Sequence, residues 1–150
     1  GKYGIKQHAN SSGTGDTYFN STSANGYTII AFVNASSGDI FSRGTDYKVT
    51  TSGNIAFTST PNGNLTAASQ TLTGWHMIAV TTGAGTTTIY NNNVSVGSGA
   101  STAANTSGTS DIYLIQNNTG NLGSFLFYQR ALSSTEISNV WNNLRGRYGL

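Results

Sequence analysis

LTGWHMIAVTTGAGTTTIYNNN, residues 72–93, contains one of the two tryptophans and one of the two histidines of the chain, Trp75 and His76. Within it, WHMIAVTT (75–82) and TTTIYNN (86–92) flank a Gly83-Ala84-Gly85 link. Both runs are rich in β-branched and aromatic residues, and the short glycine link between them predicts a hairpin of two central strands. Side chains alternate along a strand with period two. His76, Ile78 and Val80 therefore share one face, and Trp75, Met77 and Ala79 the other. A Trp-His pair can mark an active site, but here the histidine stands on an apolar face with no acid beside it. The pair reads as scaffold, with both side chains expected to be largely buried. Any function near this hairpin is expected at its tip, Tyr90 to Asn93.

The rest of the chain agrees with an all-β reading. YTIIAFVN (27–34) is apolar in both parities, as in a strand covered on both faces. DIFSRG (39–44) and YKVTT (47–51) flank a Gly44-Thr45-Asp46 turn, and NIAFTS (54–59) follows Ser52-Gly53. TPNGN supplies the single proline and an Asn-Gly reversal. DIYLIQ (111–116) and SFLFYQR (124–130) read as the last strands, and the tract from Gly97 to Ser110 reads as a long surface loop. One helix is predicted, at about 133–145. Ser133 and Glu136 have capping-box spacing. Ile137, Val140, Trp141 and Leu144 form an apolar stripe. Gly146 is expected just past the end, with Arg145 in the last turn.

Composition narrows the function classes. The 150 residues suit one domain, 1–150, large enough to bury a core without staples. With no cysteine, disulfides and thiolate metal sites are excluded. Only 8% of residues are charged, against about 25% in an average domain. Serine, threonine, asparagine and glycine must then supply the polar surface, a composition common outside cells and on virus particles. A net charge of +2 offers no basic stripe for nucleic acid. No apolar run approaches the length of a membrane-spanning helix, and no signal or lipidation pattern is visible. The first residue is Gly1 rather than methionine, as in a trimmed chain or a piece of a longer one.

Four blocks occur in order: YTIIAFVNASSGDIFSRG, GNIAFTS, LTGWHMIAVTTGAGTTTIYNNN and SFLFYQRALSSTEISNVWNNL. Together they resemble the concanavalin A-like lectin/glucanase superfamily, in its laminin-G-like and pentraxin-like branch. Members carry a Trp-His strand, a tight hairpin into an aromatic strand, and an ending R-A-L-S-x-x-E-I. RALSSTEI (130–137) is similar to that ending, and the resemblance spans about residues 27–145. It implies a two-sheet antiparallel jelly-roll sandwich with one short C-terminal helix. The last residues, NVWNNLRGRYGL, resemble the C-termini of lectin-like domains in tailed-phage virion proteins. The chain departs from the family in its last strand. Where many members have Asp and Glu, this one has Phe and Leu, which weakens any metal or polar site there.

The chemistry points away from catalysis. Glycoside hydrolysis needs two carboxyl groups about 5–9 Å apart. The glucanase branch sets them in E-x-D-x-x-E, absent here. The one glutamate, Glu136, is explained by the cap, and Asp16, Asp39, Asp46 and Asp111 are scattered. Calcium would need several carboxylates. Asp39, Asp46 or Asp111 could join asparagines and carbonyls, but turn-capping explains them, so no cofactor is indicated. His8 and His76 are too isolated for zinc. What remains is sugar binding, which uses amphipathic rings and neutral hydrogen-bonding side chains. Tyr47, Tyr90 and Tyr113 near strand ends are the candidate stacking residues. Asn91, Asn92, Asn93, Asn117 and Asn118, in YNNN and QNNTGN, are the candidate rim. The reading is a non-catalytic, lectin-like module of a phage virion protein (tail fibre, receptor-binding or decoration) that contacts host glycans. Its expected partners are glycans, other virion proteins and copies of itself, without nucleic acid or membrane insertion. A purely structural virion domain, or an adhesion module at a bacterial surface, are the alternatives.

Overall fold

The computed structural model describes residues 3–5, 26–35, 37–43, 47–59, 63–83, 85–101, 112–116 and 120–150. Eleven strands are formed among them: β1 (Tyr3–Ile5), β2 (Tyr27–Asn34), β3 (Ser37–Arg43), β4 (Tyr47–Ser52), β5 (Ile55–Thr58), β6 (Leu65–Thr66), β7 (His76–Gly83), β8 (Thr86–Asn91), β9 (Val94–Ala100), β10 (Ile112–Gln116) and β11 (Asn121–Tyr128). They build two antiparallel sheets. One runs β1-β10-β3-β4-β5-β6 and the other β11-β2-β7-β8-β9. This is the jelly-roll sandwich that the sequence predicts. One detail differs: residues 97–100, read as loop, continue β9, which pairs with β8 from Thr86–Ala100 to Asn91–Val94. The alternation there is masked by glycine and serine, which pack little on either face.

Period two assigns the core. Tyr27, Ile29, Ala31 and Val33 of β2, with Ile78 and Val80 of β7 and Ile89 of β8, face the other sheet. There they meet Phe41, Val49, Ile55 and Phe57. An aromatic chain crosses the gap: Phe125 lies 4.9 Å from Phe41, Phe41 5.4 Å from Tyr47, and Tyr47 4.8 Å from Tyr27. Such pairs add about 0.5–1.5 kcal/mol each beyond area burial. Arg43 is also wholly buried, its guanidinium 6.0 Å from the Tyr47 ring centre. Ile115 is a β-branched residue at φ 53°. That backbone costs about 1–3 kcal/mol, and it lets consecutive Leu114 and Ile115 both enter the core.

The opposite face of the five-stranded sheet is covered by α1 (Ser134–Leu144). Ile30 and Phe32 of β2 and Met77 and Ala79 of β7 pack under Leu132, Ile137, Val140, Trp141 and Leu144. β2 is thus buried on both faces, as its uninterrupted apolar run requires. The capping box forms: the Ser133 hydroxyl accepts from the Glu136 N–H at 3.3 Å, and the Ser133 N–H donates to Glu136 Oε2 at 2.9 Å. Arg130 makes a two-pronged pair with the same carboxylate. Buried Thr28 of β2 holds the approach to the helix, donating to Arg130 O and accepting from Leu132 N–H, both at 2.9 Å. RALSSTEI therefore works as a clasp. The helix end differs from expectation. Gly146 is not the left-handed terminator. A 3-10 turn, Arg145–Tyr148, continues the chain, and Gly149 at φ 69° stops it. The turn lets Tyr148 reach back over the sheet, stacked 4.6 Å from Phe32. No helix among the described residues is long and apolar enough to cross a membrane.

The clasp carries a pH signature. The Arg130 hydrogen bond, then those from the Ser133 N–H and hydroxyl, hold the Glu136 carboxyl at about 2, below its ordinary 4.5. A depressed carboxylate contributes stability that is full above the unfolded value and lost as pH falls toward the folded one. Acid titration from 4.5 to about 2 should therefore lower the melting temperature of the wild type more than that of Glu136→Gln. Equal losses would show that the clasp contributes nothing; the effect should be small and weaken with salt, because the pair is exposed.

Candidate functional site

Trp75 and His76 are half-buried rather than largely buried, because they enter β7 at its open end. His76 takes part in a chain of amides whose orientation can be deduced. The Gln70 NH2 group donates to Ala68 O and Ser69 O. Its oxygen must then accept from Asn91 Nδ2, at 2.9 Å. That turns Asn91 Oδ1 toward His76 Nδ1, also at 2.9 Å. Asn92 Nδ2 also approaches Nδ1, at 3.4 Å, and the shorter contact to Asn91 Oδ1 favours a proton on Nδ1. Nε2 faces Thr73 O at 3.3 Å. The imidazole thus joins the hairpin to the preceding loop. Among the described residues its partners are the amides of Asn91 and Asn92 and a backbone carbonyl, with neither nucleophile nor carboxylate. Trp75 leans on Tyr148, ring centres 4.8 Å apart.

The residues expected to hold a ligand take several different places. Tyr47 is 1% exposed, in the aromatic chain between the sheets, so it has no face for a sugar. Its neighbours gave a usable signal: Tyr47, Val49 and Thr51 alternate with more exposed Lys48 and Thr50. Tyr90 is half-buried against the helix-covered cluster. Tyr113 is half-buried on β10, opposite Ser42 and Gly4. Asn91 is committed to His76 and Gln70. Asn92 and Asn93 form the two-residue turn between β8 and β9, at φ 47° and 67°, the positive values that a tight hairpin needs. Asn92 pairs with Met77 twice, donating its N–H to the carbonyl at 2.9 Å and accepting the amide through Oδ1 at 2.8 Å. Asn93 exchanges hydrogen bonds with Ser138 of α1. The three asparagines brace the hairpin instead of forming a rim. Asn117 and Asn118 lie outside the described residues.

An open cleft of about 440 Å³ does exist at this end of the sandwich, lined by Asn34, Ala35, Leu72, Thr73, Gly74, Gly120 and Asn121. Its size is within the range of small-ligand sites, about 300–1,000 Å³. Asn34 ends β2 and Asn121 begins β11, and the two are paired in register. Leu72 to Gly74 form the loop that enters β7. Gly120 is pressed against the end of β2, since a Cβ there would lie 2.4 Å from that of Ala35. Ala35 and Leu72, 6% and 9% exposed, give an apolar floor, while Asn34, Thr73 and Asn121 give polar walls. Among the described residues, no side-chain hydrogen bond engages Asn34 or Asn121. The sequence partly announced this site, since Gly120 and Asn121 end the QNNTGN loop. Asn34 and the Leu72–Gly74 loop were missed, because no local pattern links segments so far apart in the chain.

Among the described residues, none that lines the cleft is charged. The described acidic side chains have structural partners: Asp39 pairs with Lys48 at 3.2 Å and Glu136 with Arg130. Asp46 and Asp111 lie outside the described residues. Among the described residues no group of three His, Cys, Asp or Glu side chains could hold a metal ion.

Comparison with known proteins places this geometry. No curated protein matches the chain. Its fold is similar to the binding domain of Paraclostridial Mosquitocidal Protein 1, with a TM-score of 0.69, 16% identity, and coverage of 91% of this chain and 40% of that one. It is similar to a candidate carbohydrate binding protein from Bacteroides ovatus, with a TM-score of 0.66, 16% identity, and coverage of 75% and 40%. A third is the binding domain of Botulinum Neurotoxin DC in complex with SialylT, with a TM-score of 0.64, 14% identity, and coverage of 80% and 36%. The chain thus spans about two fifths of the length of these structures. The pattern of the Laminin_G_3 family, of the concanavalin A-like lectin/glucanases superfamily, matches residues 4–138. With both sheets, the Trp-His strand and the RALSSTEI clasp inside that span, the chain belongs to this family.

Proposed function

We propose that the domain is a non-catalytic, lectin-like binding module that holds a glycan in the cleft at the strand ends. The observation that carries this reading is the cleft's lining: neutral amides and a hydroxyl over an apolar floor, with the side-chain amides of Asn34 and Asn121 uncommitted among the described residues. Sugars present hydroxyls beside apolar C–H faces, which is the complementary chemistry. The two described carboxylates serve an ion pair and a helix cap, which supports a binding rather than a hydrolytic role. Related folds that are binding domains, one of them in complex with SialylT, support a glycan ligand. A glycan array tests it. Binding should appear for a subset of glycans and fall at least about ten-fold in Asn34→Ala/Asn121→Ala, given two lost hydrogen bonds. Unchanged melting would show that the variant is folded. A flat array, or binding indifferent to both substitutions, would remove the reading.

We place this module on a tailed-phage virion, in a tail fibre, receptor-binding or decoration protein. The charge-poor surface and the resemblance of NVWNNLRGRYGL to such C-termini support that placement. Antibodies to the domain should label purified particles; labelling of bacterial surfaces instead would point to an adhesion module. Labelled particles with a flat array would indicate an assembly role.

A further inference from the structure

The cleft's chemistry is narrower than sugar binding in general. Asn34 and Asn121 stand side by side on paired strands β2 and β11, each offering one carbonyl acceptor and two N–H donors. Thr73, Ala35 and Leu72 line the same cleft. A plain hexose offers hydroxyls, which water at the same positions would satisfy equally well. An acetamido group offers something different: one N–H, one C=O and a methyl, in one plane. In that trans amide the N–H and C=O point in opposite directions, so one side-chain amide accepts from the N–H while a second donates to the C=O, and the methyl has apolar floor to cover. Among the described residues no charged side chain lines the cleft, so a carboxylate or an ammonium on the sugar would find no counter-charge from them and would lose hydration.

We propose that the cleft selects an uncharged N-acetylated sugar, its acetamido group read by Asn34 and Asn121 and its methyl seated on Leu72 and Ala35. This rests on the glycan-binding reading above. The test compares the intact domain on polymer-linked N-acetylglucosamine and N-acetylgalactosamine with glucose, galactose and glucosamine on the same support. The acetamido sugars should bind at least about ten-fold tighter than their parent hexoses and than the amine. Leu72→Ser should narrow that gap. If this variant melts early, Asn121→Ala, at an exposed position, should narrow the gap instead. Affinity should stay level from about 0.1 M to about 1 M salt, because no ion pair is involved. Equal binding of acetamido sugars and parent hexoses would overturn this inference and leave the glycan reading standing. So would tighter binding of glucosamine that weakens with salt. Absence of binding to every sugar on an array would overturn both.

Discussion

Gly26→Ala should lower the stability of the domain by about 3 kcal/mol or more, a fall of about 6–12 °C in melting temperature for a chain of this size. Two costs combine. Gly26 sits at φ 62°, and a Cβ placed there would stand 1.8 Å from Thr82 O and 2.6 Å from Gly83 Cα. Both of these are backbone atoms of the central strand β7, so relief requires moving β2 away from β7. Differential scanning calorimetry of two variants separates the costs. Gly53 has a similar φ of 70° but open space around its missing Cβ. Gly53→Ala should therefore show only the backbone cost, about 1–2 kcal/mol. If Gly26→Ala proves no worse than Gly53→Ala, the close approach of β2 to Thr82 is wrong.

Tyr148→Ala should be the second severe loss, about 2–4 kcal/mol, between the values for partly and fully buried aromatic truncations. The ring lies between Phe32 at 4.6 Å and Trp75 at 4.8 Å. Its hydroxyl meets Ser124 Oγ at 2.5 Å. Beneath it, Gly123 leaves room that a Cβ would close, at 2.2 Å from the ring. Tyr148→Phe keeps the stack and should lose about 1 kcal/mol. Tryptophan fluorescence gives an independent readout, since Trp75 would face water in the alanine variant and remain covered in the phenylalanine one. Urea midpoints that coincide for the two variants would show that the stack does not hold the tail.

Much of the fold was legible because strands announce their coverage. The apolar run of β2 needed two covering layers, and α1 with its clasp supplied the second. The cap at Ser133 was legible because capping is local in sequence. The candidate site was harder to read. YNNN looked like a polar rim, yet two consecutive positive-φ residues made it a tight turn, and its amides were consumed within the fold. Tyr47 looked exposed near a strand end, whereas its parity with Val49 placed it inside. The tail's role depended on Gly149, three residues beyond the expected stop. The cleft itself comes from the end of one strand, the start of another and a loop entering a third. Only the tertiary pairing of β2 with β11 and β7 brings them together.

The central strand β7 spans eight residues, about 26 Å at about 3.3 Å per residue, and the two extremities of the molecule have different duties. At one extremity are the Gly26 approach and a buried hydroxyl relay, in which Thr87 donates to Thr82 at 3.1 Å and Thr82 meets Ser101 at 3.1 Å. At the other is the cleft. Gly85, where an added Cβ would meet open space, therefore offers an attachment point for a fluorophore that leaves the cleft unobstructed. It also means that the cleft pole can be varied while the other keeps the scaffold folded.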